Sequence, residues 1–397
     1  MTRLTCPYCY GRFAEKEIKF RCGGLHPIEG KPCAPGPDPV RGQVLGDTKL
    51  QLPVVEGNGK RLSARCAKCR IETTIQICPN CHSQLPVHYS KINNRMVAMI
   101  GAKFSGKSVY MTVLMHELIH RVGRRFDAAV TGADERTRKD FSNEERDLYT
   151  EGVLPGATQT AAAERGRAPF VFRVSLGEHR RFRSTLRHTV LSFFDTAGED
   201  LESDKGVAEN VRYLSCADGI IVLLDPLTVP NVMEKFGLDP SVLPQAANRA
   251  DSPINILTRV TEVLQKLPGN GPNKMIDIPV AVAFSKVDAL WEGLPQDSPL
   301  RQPAPGTPYF DEGDGEAIHA HVQALLYDWE GGQIDQLLTK NYRTFRYFGL
   351  SALGAVPAVR SPGQARQKVG GAIQPHRVED PFLWLLSRLK VVTTGKD

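Results

Sequence analysis

Short apolar runs alternate with longer amphipathic segments along most of the chain after residue 93. Met96–Ile100 and the stretch from Asp218 to Asp225 are compact apolar runs of the kind found in buried parallel strands. Lys107–Arg121 and Ile254–Leu267 instead carry apolar residues at helical spacing. Strands that alternate with helices predict an α/β fold with a mostly parallel sheet.

The remaining pattern extends this fold toward the carboxyl end. Two apolar runs, Phe170–Val174 and Thr189–Asp195, are joined by a segment too short for a crossover helix. They predict an antiparallel hairpin, so we expect one antiparallel hairpin strand in the sheet. Further strands are predicted over 278–284 and 344–349, and further helices over 134–149, 254–267, 316–328, 333–340 and 381–389.

The segment Met99–Met111 carries the spacing G-x-x-x-x-G-K-[ST] between a predicted strand and a predicted helix. Glycines let the backbone wrap around a phosphate, the lysine adds a positive charge, and the serine hydroxyl can bind Mg2+. The segment therefore predicts a P-loop, the phosphate-binding loop of an α/β nucleotide-binding fold. Its candidate contact residues are Gly101, Ala102, Lys103, Ser105, Gly106, Lys107, Ser108 and Val109.

Three polar motifs follow later strands. Asp195-Thr-Ala-Gly198 has the pattern D-x-x-G, in which the acid can hold Mg2+ through water and Gly198 can offer its N–H to a terminal phosphate. Ser285-Lys286-Val287-Asp288 and Ser351-Ala352-Leu353 follow the predicted strands over 278–284 and 344–349. Each motif alone is weak, and their shared position at strand ends is the stronger signal.

Eight of the nine cysteines lie within the first 81 residues, and six of them form C-x-x-C pairs. Eight thiols suit two closed tetrahedral zinc sites with a structural role. The simplest grouping joins cysteines that are neighbours in sequence, and an interleaved grouping remains open. We expect His26 and His82 to be polar neighbours of the metals. The simplest grouping places Cys6, Cys9, Cys22 and Cys33 in one site and Cys66, Cys69, Cys78 and Cys81 in the other.

These patterns predict a zinc-ribbon region over residues 1–92 and a nucleotide-binding domain over residues 93–397. Within the second region, His116-Glu117-Leu118-Ile119-His120 matches H-E-x-x-H, the helix of zinc proteases. The helix must also pack on the sheet, and the sequence offers no evident third ligand. We therefore expect two ordinary histidines on an amphipathic helix.

Composition adds limits to this picture. The chain has 397 residues, 41% of them apolar and 24% charged, which fits a globular protein with a large core. It has no apolar run long enough to span a membrane and no apolar signal region at its start, so a cytoplasmic location is expected. A net charge of +6 is only weak evidence for nucleic acid.

In this order, the P-loop, D-x-x-G, S-K-x-D and S-A-L motifs resemble the signature set of Ras-like (TRAFAC-class) GTPases over about residues 93–390. The resemblance implies GTP or GDP with Mg2+ as cofactors and hydrolysis of GTP to GDP. Lys286 would flank the guanine ring, Asp288 would accept hydrogen bonds from guanine N1 and N2, and Ser351, Ala352 and Leu353 would support the base. Ser108 and Asp195 would hold Mg2+.

The resemblance also predicts a first switch whose threonine binds Mg2+ in the triphosphate state. Thr158 is the candidate, with Thr160 as the alternative. The catalytic set is then Lys107, Thr158, Gly198 and Glu199. Glu199 stands where many Ras-like enzymes have a water-orienting glutamine, and Ser285 where Asn or Thr is common. Because a carboxylate is repelled by a polyphosphate, we expect slow intrinsic hydrolysis.

With its cysteine-rich region, the chain also looks like bacterial double-GTPase-type proteins, which implies signalling or conflict and defence. A switch of this kind implies a protein effector or activator as partner. Two other functions stay open: a nucleotide-binding scaffold without turnover, and a P-loop ATPase. The acceptor role implied for Asp288 favours guanine over adenine.

Overall fold

A computed structural model describes residues 3–24, 31–102, 104–155, 169–180, 183–197, 213–238, 252–267, 271, 273–355, 357 and 367–395. Side chains are described within these ranges except those of residues 178–185 and 194–197.

A seven-stranded sheet forms the centre of the larger region. Its strands are β8 (Asn93–Gly101), β9 (Ala128–Gly132), β10 (Phe170–Arg180), β11 (Arg183–Ala197), β12 (Gly219–Leu224), β13 (Val280–Phe284) and β15 (Phe345–Gly349). They lie in the order β15-β13-β12-β8-β11-β10-β9. Only β10 runs against the other six, because it pairs antiparallel with both β11 and β9 while the remaining pairs are parallel. The expected mostly parallel sheet with one antiparallel hairpin strand is confirmed.

Helices cover both faces of this sheet. They are α2 (Lys107–Glu117), α3 (Gly123–Arg125), α4 (Glu135–Glu145), α5 (Val232–Lys235), α6 (Pro253–Gln265), α7 (Glu312–Asp328), α8 (Gly332–Asn341) and α9 (Asp380–Arg388). Two π-helical turns, Leu118–Val122 and Arg146–Thr150, continue α2 and α4. A small parallel pair joins β14 (Phe310–Asp311) to β16 (Thr394–Gly395).

Residues on the central strand β8 alternate between two hydrophobic cores. Ala98 and Ile100 pack in one core with α6, α7 and α8, whereas Val97 and Met99 pack in the other with α2 and α9. All four side chains are essentially inaccessible to water. Burial on both faces explains why residues 96–100 of this strand are all apolar, with no polar alternation.

The amino-terminal region has little regular structure. Its elements are the short strands β1 (Arg3–Thr5), β2 (Arg12–Ala14), β3 (Lys19–Arg21), β4 (Val54–Val55), β5 (Ala64–Arg65), β6 (Glu72–Thr73) and β7 (Gln76–Ile77), with one helix α1 (Pro39–Leu45). Buried cysteines take the place of a large apolar core here. Small modules usually need disulfides or bound metal ions, because they bury too little apolar surface for stability.

The sequence analysis did not predict one strand of the seven-stranded sheet. The strand β9 has only Val130 buried and alternates with exposed neighbours, so it lacks the apolar run that identified the central strands. It lies at the edge of the sheet next to β10. Among the described residues, every helix is too short or too polar to cross a bilayer.

Candidate functional site

Four of the sequence motifs lie along the carboxyl edge of the parallel strands. Gly101 ends β8, Asp195 lies near the end of β11, Ser285 follows β13 and Ser351 follows β15. The central strand β8 has β11 on one side and β12 on the other. After β8 the chain forms β9, β10 and β11 on one side of it and then β12, β13 and β15 on the other, so the strand order reverses at β8. Ligands of open α/β sheets bind in the crevice that such a reversal creates at the carboxyl ends of the strands.

The loop between β8 and α2 is held close to the sheet. A Cβ atom at Gly101 would lie 2.4 Å from the carbonyl oxygen of Leu223, so the close approach of β12 requires glycine here. Gly106 has φ +84°, a left-handed backbone that also favours glycine. Ser105 donates its hydroxyl to the carbonyl oxygen of Ala102 at 2.9 Å, which braces the turn.

Lys107 points back into this loop. Its Nζ donates to the carbonyl oxygens of Gly101 at 2.9 Å and Ala102 at 2.7 Å, and the side chain is buried. Gly106 is the residue that caps α2, and glycine has no side chain that could accept a hydrogen bond from the N–H groups of the first turn. Such a turn next to an amino group can bind an anion. Ser108 is buried in this turn and Val109 half-buried, while Lys103 lies outside the described residues.

Asp195 lies beside the start of the predicted P-loop in the backbone register. The parallel pairing of β11 with β8 sets Asp195 opposite Met99 and Ala197 opposite Gly101. The D-x-x-G motif therefore begins at the same level of the sheet as the loop. The side chain of Asp195, and all of Gly198, Glu199, Thr158 and Thr160, lie outside the described part of the chain.

The S-K-V-D segment is fixed by the neighbouring strand. Ser285 donates its backbone N–H to the carbonyl oxygen of Leu224 at 2.8 Å, and its hydroxyl donates to the same oxygen at 3.0 Å. Lys286 has φ +54° and its Nζ lies 2.5 Å from Oδ2 of Asp225. Asp288 is half-buried in the short 3-10 helix Val287–Gly293.

Asp225 is a candidate site residue that the motifs did not identify. It directly follows β12, its side chain is only 6% exposed, and its Oδ1 also accepts the N–H of Leu227 at 3.0 Å. The sequence did contain a signal for it, because Asp225 is an acidic residue directly after a buried parallel strand. That position lies at the same carboxyl edge of the sheet as the other motifs.

The S-A-L segment is held by the stretch before α9. Ser351 and His376 exchange backbone hydrogen bonds of 3.0 and 2.8 Å, and Leu353 accepts one from Gln374. Ser351 is buried, while Ala352 and Leu353 are half-buried. Burial lowers the pKa of His376, whose Nε2 lies 2.7 Å from the carbonyl oxygen of Leu300. The neutral ring can donate this hydrogen bond.

The eight amino-terminal cysteines form two buried groups, and their pairing is interleaved. The proximal cysteine group contains Cys6, Cys9, Cys78 and Cys81, and the distal cysteine group contains Cys22, Cys33, Cys66 and Cys69. The grouping by sequence neighbours is therefore wrong. The chain returns through β3 and β7, which pair antiparallel, and this brings the first and last C-x-x-C turns together.

Both groups have dimensions that suit zinc. Sulfur atoms lie 3.7 Å apart in Cys6 and Cys81, 3.8 Å in Cys9 and Cys78, 3.4 Å in Cys22 and Cys69, and 3.8 Å in Cys33 and Cys66. Zinc–sulfur bonds of about 2.3 Å in a tetrahedron place sulfur atoms about 3.8 Å apart. All eight thiols are free and buried. The four thiols of each group could therefore hold one zinc ion.

The three C-x-x-C turns share one backbone geometry. In each, the residue after the second cysteine is left-handed and donates its N–H to the carbonyl oxygen of the first cysteine. These residues are Tyr10, Arg70 and His82, with φ of 56°, 63° and 55°. His82 binds the carboxylate of Asp38 through Nδ1 at 2.9 Å, as expected of a polar neighbour, and His26 lies outside the described residues.

The proximal cysteine group packs directly on the sheet region. It shares a hydrophobic cluster with Val171 of β10 and Val190 of β11. The Tyr8 hydroxyl donates to Asp134 at 2.7 Å, and the rings of Tyr10 and Tyr213 lie 5.2 Å apart. The cysteine-rich region is thus attached to β10 and to β11, the strand that carries Asp195.

Comparison with known proteins gives one relative in sequence. The chain is 28% identical over 391 residues to a protein of Mycolicibacterium smegmatis (strain ATCC 700084 / mc(2)155) described as "Putative ESX-1 scaffolding and assembly protein SaeC". The match covers 94% of this chain and 89% of that protein, so it includes residues of both the cysteine-rich region and the sheet. No protein-family model matches the chain.

Comparison with solved structures gives a weaker likeness. The small GTPase Arl6 BBS3 of Trypanosoma brucei, with bound nucleotide analogue GppNp, shares 11% identity and a TM-score of 0.28. The match covers 76% of this chain and 100% of that chain.

Proposed function

We propose that this protein is a GTP-binding switch with Mg2+-dependent GTPase activity. The observation that supports the proposal is the arrangement of four motifs along one edge of the sheet, around β8, the strand at which the strand order reverses. The P-loop at β8 and the S-A-L segment at β15 are three strand spacings apart, or about 14 Å. This separation leaves room for phosphates at one end of the crevice and a base at the other.

Each end of this crevice has matching chemistry. Lys107 and the first turn of α2 would bind the phosphates, and Ser108, Asp195 and Thr158 would hold Mg2+, which supplies positive charge to the transferring phosphoryl group. Gly198 would sense the terminal phosphate, with Glu199 beside it. At the other end, Lys286 and Asp288 would bind guanine, and Ser351, Ala352 and Leu353 would support the base.

Binding without turnover is the second candidate. The relative of similar length is described as a scaffolding and assembly protein, which favours a role in holding other proteins together. The contact of Tyr10 with Tyr213 supports such a role, because Tyr213 follows the D-x-x-G motif in the chain, 15 residues after Gly198. We infer that the cysteine-rich region docks a protein effector or assembly partner, and that nucleotide regulates this docking.

Competition against a fluorescent guanine nucleotide, with Mg2+, tests the first proposal. GTP and GDP should compete with the probe while ATP does not, and Asp288→Asn should shift preference toward xanthine nucleotide. Asp328→Asn is a matched control, because Asp328 lies on exposed surface in an ion pair with Lys235. Equal competition by ATP would instead favour a P-loop ATPase.

A single-turnover assay separates the two functions. Protein in excess over labelled GTP should release phosphate slowly if the chain is a GTPase. Binding of GTP without phosphate release, with or without a partner, would favour the scaffold. If the wild-type protein bound none of the nucleotides, both proposed functions would be contradicted.

A further inference from the structure

The second half of α2 carries a cluster that the proposed function does not use. The side chains of His116, His120 and Glu145 each offer a ligand atom, and these atoms all lie within 4.8 Å of one another. Oε1 of Glu145 is 2.7 Å from Nδ1 of His116 and 3.2 Å from Nε2 of His120. The sequence showed no third ligand for the two histidines, and the fold supplies one from α4.

The donor set and spacing suit a transition metal. Two imidazoles and one carboxylate are common ligands of Zn2+ and related ions. Bonds of about 2.0–2.2 Å in a tetrahedron place neighbouring ligand atoms about 3.4 Å apart. The 3.2 Å separation is already near this value, and the 2.7 Å hydrogen bond would lengthen when a metal replaces its proton. The side chain of His120 is 55% exposed, so solvent can reach the site.

The backbone changes form at the same place in both helices. α2 passes into the π-helical turn Leu118–Val122, and α4 passes into the π-helical turn Arg146–Thr150. Such turns are rare and are often found at functional sites. Tyr149, within the second turn, stacks on His116 with ring centroids 3.8 Å apart and an angle of 18° between the planes. This stacking holds the His116 ring in place beside Glu145.

The protease interpretation of the same motif is not supported. In that chemistry, the glutamate after the first histidine activates a metal-bound water. Here Glu117 is buried and accepts a hydrogen bond from Arg121, whose guanidinium also contacts Glu379. Glu117 lies outside the three-residue cluster, so the arrangement favours binding of a metal over catalysis by one.

We propose that His116, His120 and Glu145 form a binding site for a divalent transition-metal ion that links α2 to α4. A metal at this site would hold the end of α2 against α4. Since α2 begins at the predicted P-loop, the metal would also restrain the helix that carries this loop. The site is separate from the two cysteine groups and from the crevice, so its test does not depend on nucleotide.

The experiment uses the full chain. Plasma mass spectrometry first measures how much metal the purified protein holds tightly, and the protein is then titrated with Zn2+. Calorimetry should then detect one further equivalent in the wild type. Glu145→Gln and His120→Asn should each weaken this binding at least about 10-fold, since each removes a ligand. His88→Asn is the control, because His88 is an exposed histidine with a left-handed backbone that Asn tolerates.

Two checks show whether the fold is intact in a ligand variant and whether the metal is bound at this site instead of at the cysteine groups. Glu145→Gln retains a hydrogen-bond acceptor for the histidines, so circular dichroism and thermal melting should show an intact fold. Co2+ bound at this site should lack the thiolate charge-transfer absorption that the two cysteine groups would give. Absence of a further equivalent in the wild type, or an unchanged affinity in both ligand variants, would overturn the proposal.

Discussion

The Nζ of Lys286 lies 2.5 Å from Oδ2 of Asp225, and this ion pair joins two neighbouring strand ends. The carboxylate is nearly buried while the lysine is 33% exposed, so Asp225 is the fixed partner and orients the lysine. Under the proposed function, a lysine held in this way would flank the base without a further loss of side-chain freedom.

Replacement of Asp225 by Asn should therefore weaken guanine nucleotide binding by about 10-fold, or about 1.4 kcal/mol. The variant can keep the hydrogen bond to the N–H of Leu227, so the fold should be retained. Asp328→Asn removes an exposed ion pair with Lys235 and should leave affinity unchanged. Similar affinities for the wild type and both variants in fluorescence titrations would show that Lys286 does not need Asp225.

Lys107→Ala should reduce nucleotide affinity by more than about 100-fold, because a buried amino group at the phosphate end would be lost. It should also lower the free energy of unfolding by about 1–3 kcal/mol, since Lys107 donates to two backbone carbonyls. Lys91→Ala, which removes an exposed partner of Glu15, is the matched control. Retained nucleotide binding in Lys107→Ala would refute the P-loop assignment.

Zinc stoichiometry tests the interleaved pairing. Native mass spectrometry should find that Cys9→Ser and Cys78→Ser each lose one zinc, and that the double variant still loses only one, because both residues belong to the proximal cysteine group. Cys9→Ser with Cys69→Ser should lose two. Loss of two ions from the Cys9 and Cys78 double variant would indicate the grouping by sequence neighbours.

Tyr8→Phe tests the attachment of the cysteine-rich region to the sheet. The Tyr8 hydroxyl donates to Asp134, which also accepts the N–H of Thr137 at the start of α4. Loss of this partly buried bond should lower the free energy of unfolding by about 1–2 kcal/mol in urea titrations. Tyr327→Phe removes a similar bond to Asp335 from a tyrosine that is 54% exposed and should cost less. Equal effects would argue against a specific attachment.

His319 should make the fold sensitive to acid. Burial lowers the pKa of His319, the Arg346 guanidinium lowers it further, and Nδ1 accepts the Tyr347 N–H at 3.1 Å. Below about pH 6.5 the unfolded chain takes up a proton that the folded ring resists, so the free energy of unfolding falls as pH falls toward the folded pKa. One such proton contributes at most about 1.4 kcal/mol per pH unit.

Urea titrations at pH 7.5 and 5.5 measure this effect. His319→Gln should lose less stability on acidification than the wild type, while exposed His88→Asn should behave as the wild type does. Equal losses in all three proteins would show that His319 does not carry the acid sensitivity.

The local pattern of the chain was enough for most of the central sheet. The run before the P-loop became β8, the hairpin became β10 and β11, and helices α6, α7 and α8 lie where apolar spacing placed them. These elements are set by burial on one or two faces, a requirement that repeats along the sequence with the period of the element. β9 lacked that signal because only one of its residues is buried.

Tertiary structure decided which distant residues meet. The sequence shows eight cysteines that could bind metal, but not how they are grouped. Their interleaved grouping depends on the antiparallel pairing of β3 and β7, which brings the first and last C-x-x-C turns together. In the same way, no local pattern joined Asp225 to Lys286 or Glu145 to His116 and His120. The physical reason is that periodicity reports the face on which a residue lies, whereas partners across the fold depend on strand order and helix packing.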